Sequence, residues 1–141
     1  MNQDVNQRVN QAITAFTLVV RDYDEAIRYY TEILGFVLLE DTPLSAEKRW
    51  VRIAPPSAGK LRGASILLAK AANEQQHAAV GNQTGGRVFL FLHTDDFQRD
   101  YDAYRAHNVH FLEEPRNEAY GMVVVFEDLY GNKWDLVEVN A

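Results

Sequence analysis

The sequence contains one succession of elements twice, and this internal repeat limits the folds open to the chain. Residues 14–36 and 88–111 each run through an apolar strand, an acidic helix start, an aromatic-bearing helix and a turn that ends in Phe. Asp22 and Asp96 begin the two helices and lie 74 residues apart, about half of the 141-residue chain. Because a solenoid needs more than two copies, this repeat predicts two supersecondary modules that share one core.

Composition places the chain among globular proteins of one domain. Its 141 residues are 47% hydrophobic, which is enough for an ordinary core. The net charge of −6 disfavours nucleic acid as a partner, since nucleic-acid binding needs a concentrated basic face. No apolar run approaches the roughly 20 residues that cross a bilayer. Without cysteine, the chain has no disulfide, thiolate metal site or cysteine nucleophile. A small molecule or a protein is the expected partner.

The first eleven residues are polar and lack the basic start and apolar stretch of a signal peptide. We therefore expect residues 1–11 to form a flexible N-terminal arm, and we expect the protein to be cytoplasmic. Residues 12–140 are expected to form one domain, which divides into module one (12–72), a connector (73–86) and module two (87–140).

Hydrophobic periodicity predicts the order β-α-β-β-β in each module. In module one we expect a strand at 13–20, a helix from the N-cap Asp22 to Gly35, and strands at 36–40, 49–54 and 64–69. In module two we expect a strand at 87–93, a helix at 96–107, and strands near 109–112, 120–127 and 132–139. A short helix at 73–80 and the glycines of 81–86 separate the two modules.

This succession resembles the vicinal oxygen chelate superfamily, which includes glyoxalase I, the bleomycin-resistance proteins and the extradiol dioxygenases. The resemblance covers about residues 12–139 and rests on LVVRDYDEAIRYYTEILGF, VFLFLHTDDF and FEDLYGNKWDLVE. It implies an α+β, glyoxalase-like fold in which two tandem β-α-β-β-β modules form a curved, partly open mixed barrel. The helices would lie outside and a ligand cavity inside. The resemblance also implies a homodimer.

Strand alternation assigns side chains to the cavity. The residues predicted to face it or to bind a ligand are Thr17, Trp50, Arg52, Phe89, Phe91 and Tyr120. The aromatic members could stack on a planar ligand or could simply fill the barrel. His93, also predicted to face inward, could move a proton together with Asp135 or Tyr120 as catalytic residues. Alternatively, His93 is a strand-end histidine that is hydrogen-bonded to the turn at 94–96.

The metal ligands of the family can be placed residue by residue on this chain. The family's four positions fall on Ala15, Leu67, Phe89 and Asp135. Only Asp135 carries a donor, so the usual metal centre is not expected, and no cofactor is expected. A divalent metal could still bind at a shifted site if His93 approached Asp135 and a glutamate, Glu118 or Glu127.

The leading hypothesis is a protein that binds a small, partly aromatic or amphipathic molecule without a metal, as the drug-binding members of the family do. One alternative is a metal-dependent lyase, isomerase or dioxygenase that acts on a vicinal-oxygen substrate at a nonstandard ion site. A second alternative is a dimeric interaction module whose cavity is filled. An open void beside the inward aromatic residues would favour binding over this last alternative.

Overall fold

The computed structural model describes residues 10–57 and 63–140, which form two β-sheets and three helices. The predicted N-terminal arm lies outside the described residues except for residues 10 and 11, which are exposed. The predicted α+β class is confirmed, and the two sheets do not close into a full barrel. None of the helices in the described ranges is long and apolar enough to span a membrane.

Sheet one is built from the first copy of the repeat. It contains β1 (Ala15–Val20), β2 (Val37–Pro43), β3 (Arg49–Ala54) and β4 (Ser65–Lys70), in the order β1-β4-β3-β2. β1 is parallel to β4, and the other neighbouring strands are antiparallel. Alternation sends Leu18, Ile53 and Leu68 into the core, whereas Thr17 and Trp50 lie on the other side and are exposed.

Sheet two is built from the second copy. It contains β5 (Val88–His93), β6 (His110–Phe111), β7 (Arg116–Glu118), β8 (Gly121–Glu127) and β9 (Lys133–Val139). The strand order is β5-β9-β8-β6, and β7 also pairs with β8. β5 is parallel to β9, as β1 is to β4, so the internal repeat of the sequence appears as a repeat of topology. The short strand β7 was not predicted, because its three residues are all polar.

Both repeat helices begin at the predicted aspartates. Asp22 caps α1 (Tyr23–Arg28) by accepting from the Glu25 backbone N–H at 2.8 Å, and Asp96 caps α3 (Phe97–Ala106) by accepting from that of Arg99 at 3.1 Å. α1 continues as a π-helical turn at Tyr29–Ile33. The apolar spacing in the sequence did not predict this wider helical turn. The connector contains α2 (Glu74–Ala79), close to the predicted short helix.

The two halves share one core that is rich in aromatic side chains. The Trp134 ring lies 6.0 Å from that of Tyr30, 5.8 Å from that of Phe36 and 5.8 Å from that of Phe126. Both Tyr30 and Trp134 also donate to the buried Asp128 carboxylate, at 2.6 and 3.0 Å. Burial and the neighbouring Asp128 carboxylate raise the pKa of Tyr30 well above its ordinary value, so its hydroxyl remains a donor.

The connector fills the space between β1 and the β8–β9 turn. The Gln83 side chain accepts from the Val19 backbone N–H at 3.2 Å and donates to the Thr17 carbonyl at 3.4 Å, so it occupies the free edge of β1. Its backbone N–H donates to Asn132 Oδ1 at 3.3 Å. At Gly81, where φ is +74°, a Cβ would lie 1.9 Å from the Tyr130 carbonyl oxygen. Only glycine permits this approach.

Candidate functional site

A groove of about 790 Å³ runs along β5 between the two halves of the molecule. β5 is an edge strand, and its residues 90–93 form one wall. Phe16, Ile66 and Trp134 form much of the floor, and the chain that leaves β3 at 54–57 and enters β4 at 63–64 forms the opposite wall. The groove is thus mostly apolar, with His93 as its ionisable side chain among the described residues.

The groove contains two of the residues predicted from the sequence, Phe91 and His93. The register of β5 against β9 pairs Phe91 with Asp135 and His93 with Val137, so these four side chains share one side of sheet two. We call this side, which points away from the main core, the open face of sheet two. Phe91 is 64% exposed there, an unusual exposure for a phenylalanine in a strand.

Phe89 does not face the cavity as the strict alternation predicted. Its ring packs edge-on against Phe16 at 6.3 Å and against Trp134 at 6.4 Å, on the side of the main core. The cause is an irregularity in the pairing of β5 with β9 between Val88 and Leu90, which breaks the period of two at this residue.

The other predicted ligand residues lie outside the groove. Trp50 Nε1 and Arg52 Nε both donate to Glu40 Oε1 at 3.1 Å, so the guanidinium of Arg52 is already paired on sheet one. Thr17 lies on the same side of that sheet, on the edge strand that Gln83 covers. Tyr120 is exposed at the turn before β8. No hydrogen bond, ion pair or ring contact joins these residues to Phe91 or His93 within the described ranges.

Asp135 is buried on the open face of sheet two, with 9% of its surface exposed. It lies between Phe91 on β5 and Val125 on β8. Its Oδ1 atom is buried and has no hydrogen-bond partner among the described residues. Burial raises the pKa of Asp135; the positive charge of Arg116 opposes this increase, and the carboxylate of Glu113 adds to it.

The described residues do not bring together the donors needed for a divalent ion. Three of the four family positions, Ala15, Leu67 and Phe89, carry no ligand atom. The glutamates considered for a shifted site are engaged elsewhere: Glu127 contacts His110 at 2.7 Å, and Glu118 contacts Arg116 at 3.5 Å. The described residues contain no cluster of three His, Cys, Asp or Glu side chains that could hold a metal. The residues present do not fit the family's metal centre.

Within the described residues no hydrogen bond joins His93 to the turn after β5, so the structure does not support the alternative of a strand-end histidine bonded to that turn. Thr94 Oγ1 donates to Asp100, Asp95 pairs with Arg99 at 2.9 Å, and Asp96 caps α3. These polar groups organise the helix start. No hydrogen bond joins His93 to Asp135 or Tyr120 within the described ranges, so the proposed catalytic set is not in contact.

Sequence reasoning missed most of the groove wall. The sequence patterns did not identify Phe16, Leu90, Trp134 or residues 55–57 as lining a groove. Strand alternation identifies which side of a sheet a residue occupies. Strand alternation does not show where two edge strands move apart, and that separation leaves core side chains accessible in the groove.

A family model assigns the chain to a known superfamily. Residues 12–136 match the family model described as the Glyoxalase/Bleomycin resistance protein/Dioxygenase superfamily. The chain therefore belongs to this superfamily, and the resemblance seen in the sequence is confirmed.

Three similar proteins span nearly the whole chain. An uncharacterized protein of Shewanella frigidimarina (strain NCIMB 400) is 50% identical over 133 residues, which cover 94% of this chain and 96% of that protein. The crystal structure of UcmS2 has a TM-score of 0.77 at 27% identity, covering 92% of this chain and 98% of that one. The structure of TnmS3, an antibiotic binding protein from Streptomyces sp. CB03234, has a TM-score of 0.72 at 26% identity, covering 94% and 98%.

Proposed function

We propose that the protein binds a small, partly aromatic or amphipathic molecule in the groove along β5, and that it does so without a divalent ion. The observation that carries the proposal is the groove itself. Its volume of about 790 Å³ lies within the range of small-molecule sites, roughly 300–1,000 Å³. An apolar wall with few polar groups is also the usual composition of such sites. The structural similarity to TnmS3, an antibiotic binding protein, supports binding over catalysis.

The residues that line the groove have different roles in the proposed binding. Phe91 supplies an accessible aromatic ring on which a planar group can stack. Leu90 and Leu92 supply apolar surface, and the imidazole of His93 offers a hydrogen bond that orients the ligand. The open groove also argues against an interaction module with a filled cavity.

Binding of 8-anilinonaphthalene-1-sulfonate, an aromatic fluorescent probe, tests the proposal by titration. Phe91→Ala is expected to weaken binding roughly fivefold to tenfold, because an aromatic stacking contact contributes about 1 kcal/mol. Leu44→Ala is the matched control, since it removes a similarly exposed apolar side chain that does not line the groove. Equal affinity for the wild-type protein and Phe91→Ala would overturn the proposal.

We further propose that the protein acts as a homodimer in the cytoplasm. Support for the dimer comes from exposed apolar side chains on the edge strand β2, namely Val37, Leu38 and Leu39. Contiguous apolar surface of this kind is typical of interfaces. Light scattering after size exclusion should then give about twice the chain mass of 16.1 kDa. A mass of one chain at micromolar concentration would contradict the dimer.

A further inference from the structure

Asp135 differs from the other buried carboxylate in the described core. The Asp128 carboxylate accepts from Tyr30, Trp134 and Asn132. Asp135 is also buried, yet its Oδ1 atom has no partner among the described residues, and it is the one buried side-chain atom there in that condition. Buried polar groups in folded proteins are nearly always hydrogen-bonded. An exception of this kind indicates a missing partner.

The surroundings of Asp135 place that partner on the open face of sheet two, beside the groove. Val123 and Val137 are buried beside it on the open face of sheet two and offer no side-chain donor. Phe91 is directly opposite on β5, is largely exposed and lines the groove. Rotation of the carboxyl about χ2 exchanges its two oxygen atoms, so either can be presented toward the exposed side.

The cations near Asp135 are already engaged. Arg116 donates to Glu113 at 3.0 Å and contacts Glu118 at 3.5 Å. Lys133, two residues before Asp135, donates to the Gly86 carbonyl at 3.0 Å. No hydrogen bond or ion pair from either side chain reaches Asp135. Among the described residues, the carboxylate therefore has neither a hydrogen-bond donor nor a positive charge in direct contact.

We propose that Asp135 binds a protonated nitrogen of the ligand, an alkylammonium or amidinium group that carries N–H, while the apolar body of the ligand lies along Phe91. This inference rests on the proposed function. Asp135 does not line the groove itself, so the ligand would extend from the groove past Phe91 to the open face of sheet two. An N–H cation supplies both missing features, because it donates a charge-assisted hydrogen bond and attracts the face of the neighbouring ring. A carboxylate-bearing ligand would instead be repelled.

Three matched probes test the proposal by isothermal titration calorimetry at pH 7: 4-phenylbutylamine, 4-phenylbutan-1-ol and 4-phenylbutyrate. They share one apolar body and differ in the charge of the end group. The amine is expected to bind at least tenfold more tightly than the alcohol, and the carboxylate least tightly. Asp135→Asn should abolish the preference for the amine and leave the affinity for the alcohol within about twofold.

Glu118→Gln is the control variant, since it also removes a negative charge from this part of sheet two but one that pairs with Arg116. Glu118→Gln should keep the preference for the amine. If this variant lost the preference as fully as Asp135→Asn, only the overall negative charge would matter. Equal binding of the amine and the alcohol, or a preference for the amine that survives Asp135→Asn, would overturn the proposed role of Asp135. Binding of the alcohol would still show that the groove takes a ligand, so the proposed function would stand. Binding of none of the three probes would overturn the proposed function as well.

Discussion

Tyr30 donates a 2.6 Å hydrogen bond to Asp128, 98 positions further along the chain. Tyr30 lies in the π-helical turn of the first repeat, and Asp128 lies in the turn between the last two strands of the second. The same carboxylate accepts from Trp134, at the centre of the shared aromatic core. The segment FEDLYGNKWDLVE, which carried part of the family resemblance, thus joins the two halves of the molecule.

Tyr30→Phe removes the hydroxyl and keeps the ring, so it isolates this hydrogen bond. We expect the free energy of unfolding to fall by about 1–3 kcal/mol, because the buried Asp128 carboxylate loses a donor. Urea denaturation measures the change. Tyr29→Phe is the control, since no hydrogen bond of its hydroxyl is found within the described residues; it should shift stability by less than about 0.5 kcal/mol. Equal stability of both variants would contradict the role of the bond.

Gly81→Ala tests the close approach of the connector to the β8–β9 turn. We expect a loss of about 2–4 kcal/mol, because the new Cβ would meet the Tyr130 carbonyl oxygen at 1.9 Å and the residue has a positive φ of +74°. Gly85→Ala is a matched control with a φ of +69° and no atom within 4 Å of its Cβ, so it reports the backbone cost alone, about 1 kcal/mol. Thermal unfolding would show the difference. Equal melting temperatures would refute the steric argument.

Local sequence signals predicted the elements well. The bounds of β3 agree with the prediction at both ends, and both repeat helices begin after their predicted aspartate caps. These features depend on a few adjacent residues, namely a short polar acceptor before an apolar helix, or β-branched residues between turns. The confirmed fold class followed from their order together with the family resemblance.

The site was harder to predict because it depends on relations between distant strands. The inward orientation of Phe89 failed at one irregularity in strand pairing, which no local pattern marks. Trp134 has the apolar spacing of a core residue, and it is one, yet it also lines the groove. By contrast, Asp135 was identified from its family position, while the absence of a partner for its Oδ1 atom required coordinates.

Divalent ions test the metal-free part of the proposed function. Protein purified without a metal-affinity tag should keep its melting temperature within about 1 °C when Ni²⁺, Zn²⁺, Mn²⁺ or Fe²⁺ is added, because an ion that does not bind the folded state cannot stabilise it. The donor set supports this expectation, since Asp135 is the one ligand-type residue at the four family positions. Stoichiometric metal that His93→Ala abolishes would contradict the expectation and would reopen the metal-dependent enzyme hypothesis.

Asp135→Asn should stabilise the protein in the absence of ligand. Burial raises the pKa of Asp135 in the folded state, so the folded protein binds its proton more tightly than the unfolded chain does. Folding stability therefore falls as pH rises through the interval between the unfolded pKa, about 3.9, and the higher folded pKa. Above that interval the wild-type protein retains a buried, unpaired charge that the amide does not have.

We expect Asp135→Asn to raise the free energy of unfolding at pH 7 by about 1 kcal/mol, from the cost of an unsatisfied buried group. This advantage should decrease as pH falls toward 4, because the wild-type carboxyl becomes protonated and loses its charge. Urea denaturation of both proteins at pH 7 and pH 4 measures the change. A variant that is less stable than the wild-type protein at pH 7 would mean that Asp135 already has a stabilising partner within the protein, which would leave it unavailable to a ligand cation.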